Sequence, residues 1–103
     1  MKFDAHGSYQ LSLRNNVIVM TVSGEWNKEA AEQAFSDIRA LLPKITTSTF
    51  GKIIDARQWS LGTPEFQYFT KQALQDLVEK GLRCEAYIVL WVKVCLKKNK
   101  LDQ

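Results

Sequence analysis

The sequence predicts an α/β fold, a single four-stranded mixed sheet in the order β-β-α-β-α-β with its helices mainly on one face. Three observations carry this. Two runs of apolar-polar alternation flank Asn15-Asn16, two later stretches repeat apolar residues at helical spacing, and each of these is followed by a short run rich in β-branched residues. A strand-helix-strand unit joins parallel strands by a right-handed crossover, so strands two, three and four should run parallel and strand one antiparallel to strand two. At 103 residues the chain has room for one core and one domain.

In the first alternating run Tyr9, Leu11 and Leu13 interleave with Ser8, Gln10 and Ser12, and in the second Ile18, Met20 and Val22 repeat the pattern. Asparagine tolerates positive φ, so Asn15-Asn16 suits a two-residue type I′ hairpin turn, which pairs Arg14 with Val17. Leu13 then faces Ile18, Leu11 faces Met20 and Tyr9 faces Val22. One side of the hairpin is apolar and the other mostly polar, so the helices should cover one face of the sheet.

Ser23-Gly24-Glu25-Trp26 ends the second strand, and Asn27 is placed as an N-cap with Glu29 in the first helical turn. Ala31, Ala34, Phe35, Ile38, Leu41 and Leu42 form the buried stripe, and Pro43 stops the helix. After a threonine-rich loop, Phe50 to Ala56 reads as a central strand ended by Asp55. Arg57 to Gly62 lacks periodicity. Thr63-Pro64-Glu65 opens a second helix whose stripe is Phe66, Phe69, Ala73, Leu74, Leu77 and Val78, with Gly81 as C-terminal cap. Arg83 to about Leu96 reads as a long last strand, exposed for pairing if it lies at the sheet edge, and so as a route to a homodimer.

Composition excludes several classes. Apolar residues make up 46% and charged residues 24%, as in ordinary globular proteins. The N-terminus lacks the apolar segment of a secretory signal, and the stretch Ala86 to Val92 is too short to span a bilayer. A cytoplasmic protein without membrane insertion is expected. Cys84 and Cys95 lie too far apart along extended chain for a disulfide and read as small apolar residues, while His6 is the sole histidine, which speaks against a metal site. The formal net charge is +3, with Lys93, Lys97, Lys98 and Lys100 near the C-terminus. No aromatic-interleaved basic stripe accompanies them, so a solvated tail is expected rather than a nucleic-acid surface.

Ligands in open α/β sheets bind beyond the carboxyl ends of parallel strands. On that edge Glu25 and Trp26 follow the second strand, and Asp55, Arg57 and Trp59 follow the third. These five residues form the candidate site, suited to a protein partner or a small apolar or aromatic ligand. As single residues they have plainer roles: Asp55 as a backbone cap, Arg57 as its ion-pair partner, the tryptophans as core lids. Glu25 and Asp55 are a poor acid-base pair, because Arg57 holds a neighbouring carboxylate ionised. With no nucleophile elbow, phosphate loop, dinucleotide fingerprint or metal-ligand spacing, neither an enzyme nor a cofactor is expected.

The succession GSYQLSLRNNVIVMTVSGEW, helix, FGKIIDARQW, a helix from TPEF, and AYIVLWV resembles the STAS-like superfamily of sulfate-transporter and anti-sigma-factor-antagonist domains over about residues 8 to 92. The resemblance rests on element order, the G-E-W turn and Asp55. It implies a small regulatory or binding module for partner proteins, nucleotides or apolar ligands. The phosphorylated Asp-Ser-Ser-Gly loop of its regulatory members is replaced here by WSLGTPEF, so phosphoregulation does not carry over. The alternative functions are structural self-association through residues 84 to 96 and, behind it, a small enzyme using Glu25 and Asp55.

Overall fold

The computed structural model describes residues 7–60 and 64–89. β1 (Ser8–Arg14) and β2 (Val17–Glu25) are followed by α1 (Lys28–Leu41), a 3₁₀ turn (Leu42–Lys44), β3 (Phe50–Ser60), α2 (Pro64–Glu79) and β4 (Leu82–Ile88). The four strands form one sheet in the spatial order β1-β2-β3-β4. β1 is antiparallel to β2, and β2, β3 and β4 are parallel. This is the α/β architecture expected from the sequence.

The hairpin has the expected register, with Arg14 opposite Val17, Leu13 opposite Ile18 and Tyr9 opposite Val22. Its turn differs from expectation. Asn15 has φ 55° but Asn16 does not share the positive sign that both central residues of a I′ turn require. Asn16 is tied elsewhere: its Oδ1 accepts from Thr46 N at 3.1 Å and its carbonyl accepts from Gly51 N at 3.2 Å. The hairpin turn is thereby pinned to the loop entering β3.

Both crossovers step in the same direction across the sheet, and crossovers of one hand then lay both helices on one face. Burial agrees: Ile18, Met20 and Val22 on β2, with Phe50, Lys52 and Ile54 on β3, are buried, while Val19 and Ile53 on the other face are partly or largely exposed. The core fills the space under α1 with Ala30, Ala31, Ala34, Phe35 and Ile38, and under α2 with Phe66, Ala73 and Leu77. Leu41, Leu42, Phe69 and Leu74 pack at its margin, but Val78, assigned to the α2 stripe, is exposed.

Local chemistry explains the ends of the elements. Asn27 Oδ1 accepts from Ala30 N at 3.0 Å, so it caps α1 as expected. Pro43, rather than simply ending the helix, sits in the 3₁₀ turn that tightens its last residues. Gly81 leaves α2 at φ +122°, and a Cβ there would lie 2.4 Å from Ser48 O, so no other residue fits without moving the loop before β3. The proposed N-cap Thr63 lies outside the described residues.

The end of β3 differs from the sequence reading. β3 does not end at Asp55 but continues to Ser60 through a bulge, and among the described residues its last partner on β4 is Ile88, opposite Asp55. Among the described strands β4 lies at the sheet edge, the condition on which the pairing expectation rested. The length assigned to it beyond Val89, Cys95 and the basic cluster Lys93, Lys97, Lys98 and Lys100 all lie outside the described residues. No described helix is long and apolar enough to cross a membrane.

Candidate functional site

The bulge in β3 decides how the candidate residues are distributed. Thr21 pairs with Asp55, but two residues later Ser23 pairs with Gln58, so β3 carries one residue more than β2 over this stretch. An extra residue reverses the alternation beyond it. Before the bulge Ile54 faces the helices and Asp55 faces away; after it, Trp59 returns to the core side and packs there half-buried.

The five predicted residues therefore separate into two groups. Asp55 and Arg57 form a bidentate pair, with Arg57 Nε 2.9 Å from Asp55 Oδ1 and Nη2 2.7 Å from Oδ2, while Arg57 N also donates to Oδ1 at 3.2 Å. These hydrogen bonds, more than charge alone, hold the Asp55 carboxyl below its ordinary value of 3.8. Glu25 is exposed at the end of β2, opposite Ser60. The two tryptophans belong to the other face.

Trp26 is 3% exposed and its Nε1 donates to Ser23 O at 3.0 Å. Its ring lies 5.6 Å from Tyr9, 6.4 Å from Trp59 and 6.1 Å from Phe66, and Trp59 lies 5.7 Å from Phe66. The steep interplanar angles of the Trp59 and Phe66 contacts, 88°, 70° and 71°, are the edge-to-face arrangement that aromatic quadrupoles favour. Gly7 closes over this cluster at φ +94°, and a Cβ there would fall 2.3 Å from Trp26 Cδ1.

Beside the aromatic cluster, between α2 and the sheet, is a recess of about 40 Å³ whose lining includes Trp26, Trp59, Phe66, Lys52, Thr70 and Tyr87. A volume of this size exceeds the roughly 15 Å³ that one water needs, so it admits a few waters or a group of a few heavy atoms. Trp59 Nε1 and Thr70 Oγ1 are buried without a hydrogen-bond partner among the described residues, as is Glu85 Oε2, which lies outside the lining. Of the lining residues Tyr87 is the most exposed, at 47%, so it marks the mouth. A wider depression of about 410 Å³ lies against Lys28, Pro64 and Tyr68, but it is open surface, and Gln72 Nε2 there already donates to Tyr68 Oη at 3.0 Å.

The recess contains a charge that the sequence reading missed. Lys52 is 4% exposed, with Nζ 3.3 Å from Glu85 Oε2 and 5.0 Å from the centre of the Phe35 ring. Lys52 and Glu85 are register partners on β3 and β4, which puts both side chains on the covered face. Burial lowers the Lys52 pKa below 10.5, against the opposing pull of Glu85. Tyr87 Oη donates to Glu85 Oε1 at 2.9 Å, and burial together with this bond raises the phenol above 10.0. The signal that could have found Lys52 was its place between Phe50 and Ile54, since strand alternation puts all three on one face. Thr70 was legible in the same way, four residues after Phe66 and before Leu74.

No group of three or more His, Cys, Asp or Glu among the described residues is placed to hold a metal ion. No family model matches the chain, and no curated protein matches it. Among solved structures the chain is similar to one described as "Crystal Structure Analysis of Mglu", with a TM-score of 0.58 and 12% identity, covering 75% of this chain and 18% of that one. The chain thus spans less than a fifth of that protein, and at this identity the likeness shows a common fold alone.

Proposed function

We propose that the protein is a non-catalytic binding module of STAS-like type, which seats a small apolar or aromatic ligand at the mouth of the recess between α2 and the sheet, with one small group of it inside. The observation that carries this reading is the pair of buried, unpartnered groups, Trp59 Nε1 and Thr70 Oγ1, in a lining that apart from Lys52 is aromatic and aliphatic. A buried polar group left unpaired costs about 1–3 kcal/mol, and a ligand that completes its hydrogen bond recovers that cost on binding. Apolar walls with few polar groups are the usual composition of a small-molecule site. Trp26 and Trp59, named from the sequence, then belong to the ligand site. Asp55 and Arg57 serve the strand end on the other face.

The test is binding of small neutral aromatic molecules followed by backbone and indole chemical shifts, in wild type and two variants. Trp59→Ala should abolish saturable binding and Arg57→Ala should leave it unchanged. The reverse pattern would move the site to the Asp55–Arg57 face and favour a protein partner there.

A second reading, self-association, is favoured by β4. It pairs with β3 on one side only among the described strands, and Ile88 and Val89 are 45% and 51% exposed at its end. An exposed apolar edge strand is a template for pairing with another copy. Light scattering that gives a monomer mass at high concentration would remove this reading and the homodimer with it.

A further inference from the structure

Resting on the recess being the ligand site, we infer that its ligand is an uncharged molecule with an apolar body and a carbonyl-type hydrogen-bond acceptor. The argument has two parts, hydrogen-bonding capacity and charge. Indole nitrogen can only donate, so the partner that Trp59 Nε1 lacks must be an acceptor. The Thr70 hydroxyl, also unpartnered, can donate to the same kind of group. Glu85 is not one of the lining residues: its Oε1 takes the Tyr87 hydroxyl, and its Oε2, which makes no hydrogen bond, faces the Lys52 ammonium at 3.3 Å.

Charge then separates a carbonyl from a carboxylate. Lys52 is the one charged side chain among the described lining residues, and Glu85 already opposes it at 3.3 Å. A ligand carboxylate would enter beside Glu85 with no free counter-charge and would lose its hydration in doing so, which disfavours it. A ligand cation would meet Lys52 itself. A neutral acceptor meets neither penalty. The size of the recess, about 40 Å³, suits the acceptor group, with the apolar body lying toward the mouth at Tyr87.

The inference is tested on the full chain with three probes of similar shape: acetophenone as neutral acceptor, ethylbenzene without an acceptor, and benzoate as anion. The readout is the Trp59 indole N–H in ¹⁵N–¹H spectra, assigned by its loss in Trp59→Phe. Acetophenone should move this resonance downfield and bind at least about tenfold more tightly than either other probe, the worth of roughly one net hydrogen bond. Thr70→Val should narrow its advantage over ethylbenzene. Equal affinity for ethylbenzene overturns the acceptor requirement, and benzoate binding as well as or better than acetophenone overturns the neutral class; in both cases the recess remains the site. If none of the three binds saturably, the recess reading itself fails and this inference fails with it.

Discussion

Lys52 and Glu85 occupy opposed positions on β3 and β4, and their charged groups lie 3.3 Å apart on the side of the sheet that both helices cover. The pair puts an ammonium group into the core of a small domain, where it is partnered by one carboxylate and one aromatic ring. Most of what distinguishes this core from a plain apolar one follows from that placement.

Breaking the pair should cost more than removing it. Lys52→Met leaves Glu85 on the covered face with only the Tyr87 hydroxyl, and a loss of about 3 kcal/mol is expected, toward the lower end for buried pairs because the Glu85 side chain keeps 17% of its exposure. The double variant Lys52→Met/Glu85→Gln should recover most of that loss. Urea denaturation of wild type, both single variants and the double closes the cycle. A double variant as unstable as the sum of its singles would mean that the two side chains do not act as a pair.

The same placement gives a pH dependence of defined sign. A lysine whose folded pKa is lowered binds fewer protons in the native than in the unfolded state between that value and 10.5, so its contribution to stability rises with pH through that window. Tyr9, pushed up to about 12 by burial and by donating to Asp37, and Tyr87, also raised, act oppositely above pH 10. The readout is therefore the stability difference between wild type and Lys52→Met, which should move in favour of wild type as pH rises from neutrality toward 10. A difference independent of pH would show that Lys52 titrates as it does in the unfolded chain.

On the opposite face, Asp55 should titrate below 3.8, and Arg57→Gln should return it toward that value. A lowered carboxylate contributes stability above its unfolded pKa and loses it as pH falls through the folded one, so the effect is confined to acid conditions. Carboxyl ¹³C shifts followed against pH measure it directly. Titration near neutrality would instead point to proton-transfer chemistry at this residue.

Trp26→Ala should destabilise the domain by about 3–5 kcal/mol, as expected for deleting a buried ring that touches Tyr9, Trp59 and Phe66. Thermal unfolding checks the magnitude. A loss under about 1 kcal/mol would mean that the aromatic cluster is not a packed unit.

Element order, hairpin register, the Asn27 cap and the single covered face were legible because each rests on a local pattern of period two or 3.6, or on one capping side chain. The end of β3 was not, because a bulge breaks the alternation between Asp55 and Trp59 and makes continued strand resemble loop. That one inserted residue also explains why Trp59 parts from Asp55 and Arg57, with which it was read as one edge patch. Lys52 escaped notice for a different reason. A lysine in a strand reads as solvent-facing, and its partner Glu85 becomes visible only once β3 and β4 are aligned in register.

The central claim, a ligand site between α2 and the sheet, is tested most directly by intermolecular NOEs between unlabelled acetophenone and the methyl groups of the ¹³C-labelled protein. The account predicts contacts to Met20, Val22, Ile54, Thr70 and Leu74, all of which line the recess. Contacts to Val19, Ile53 and Ile88 instead, on the face that the helices leave open, would contradict it.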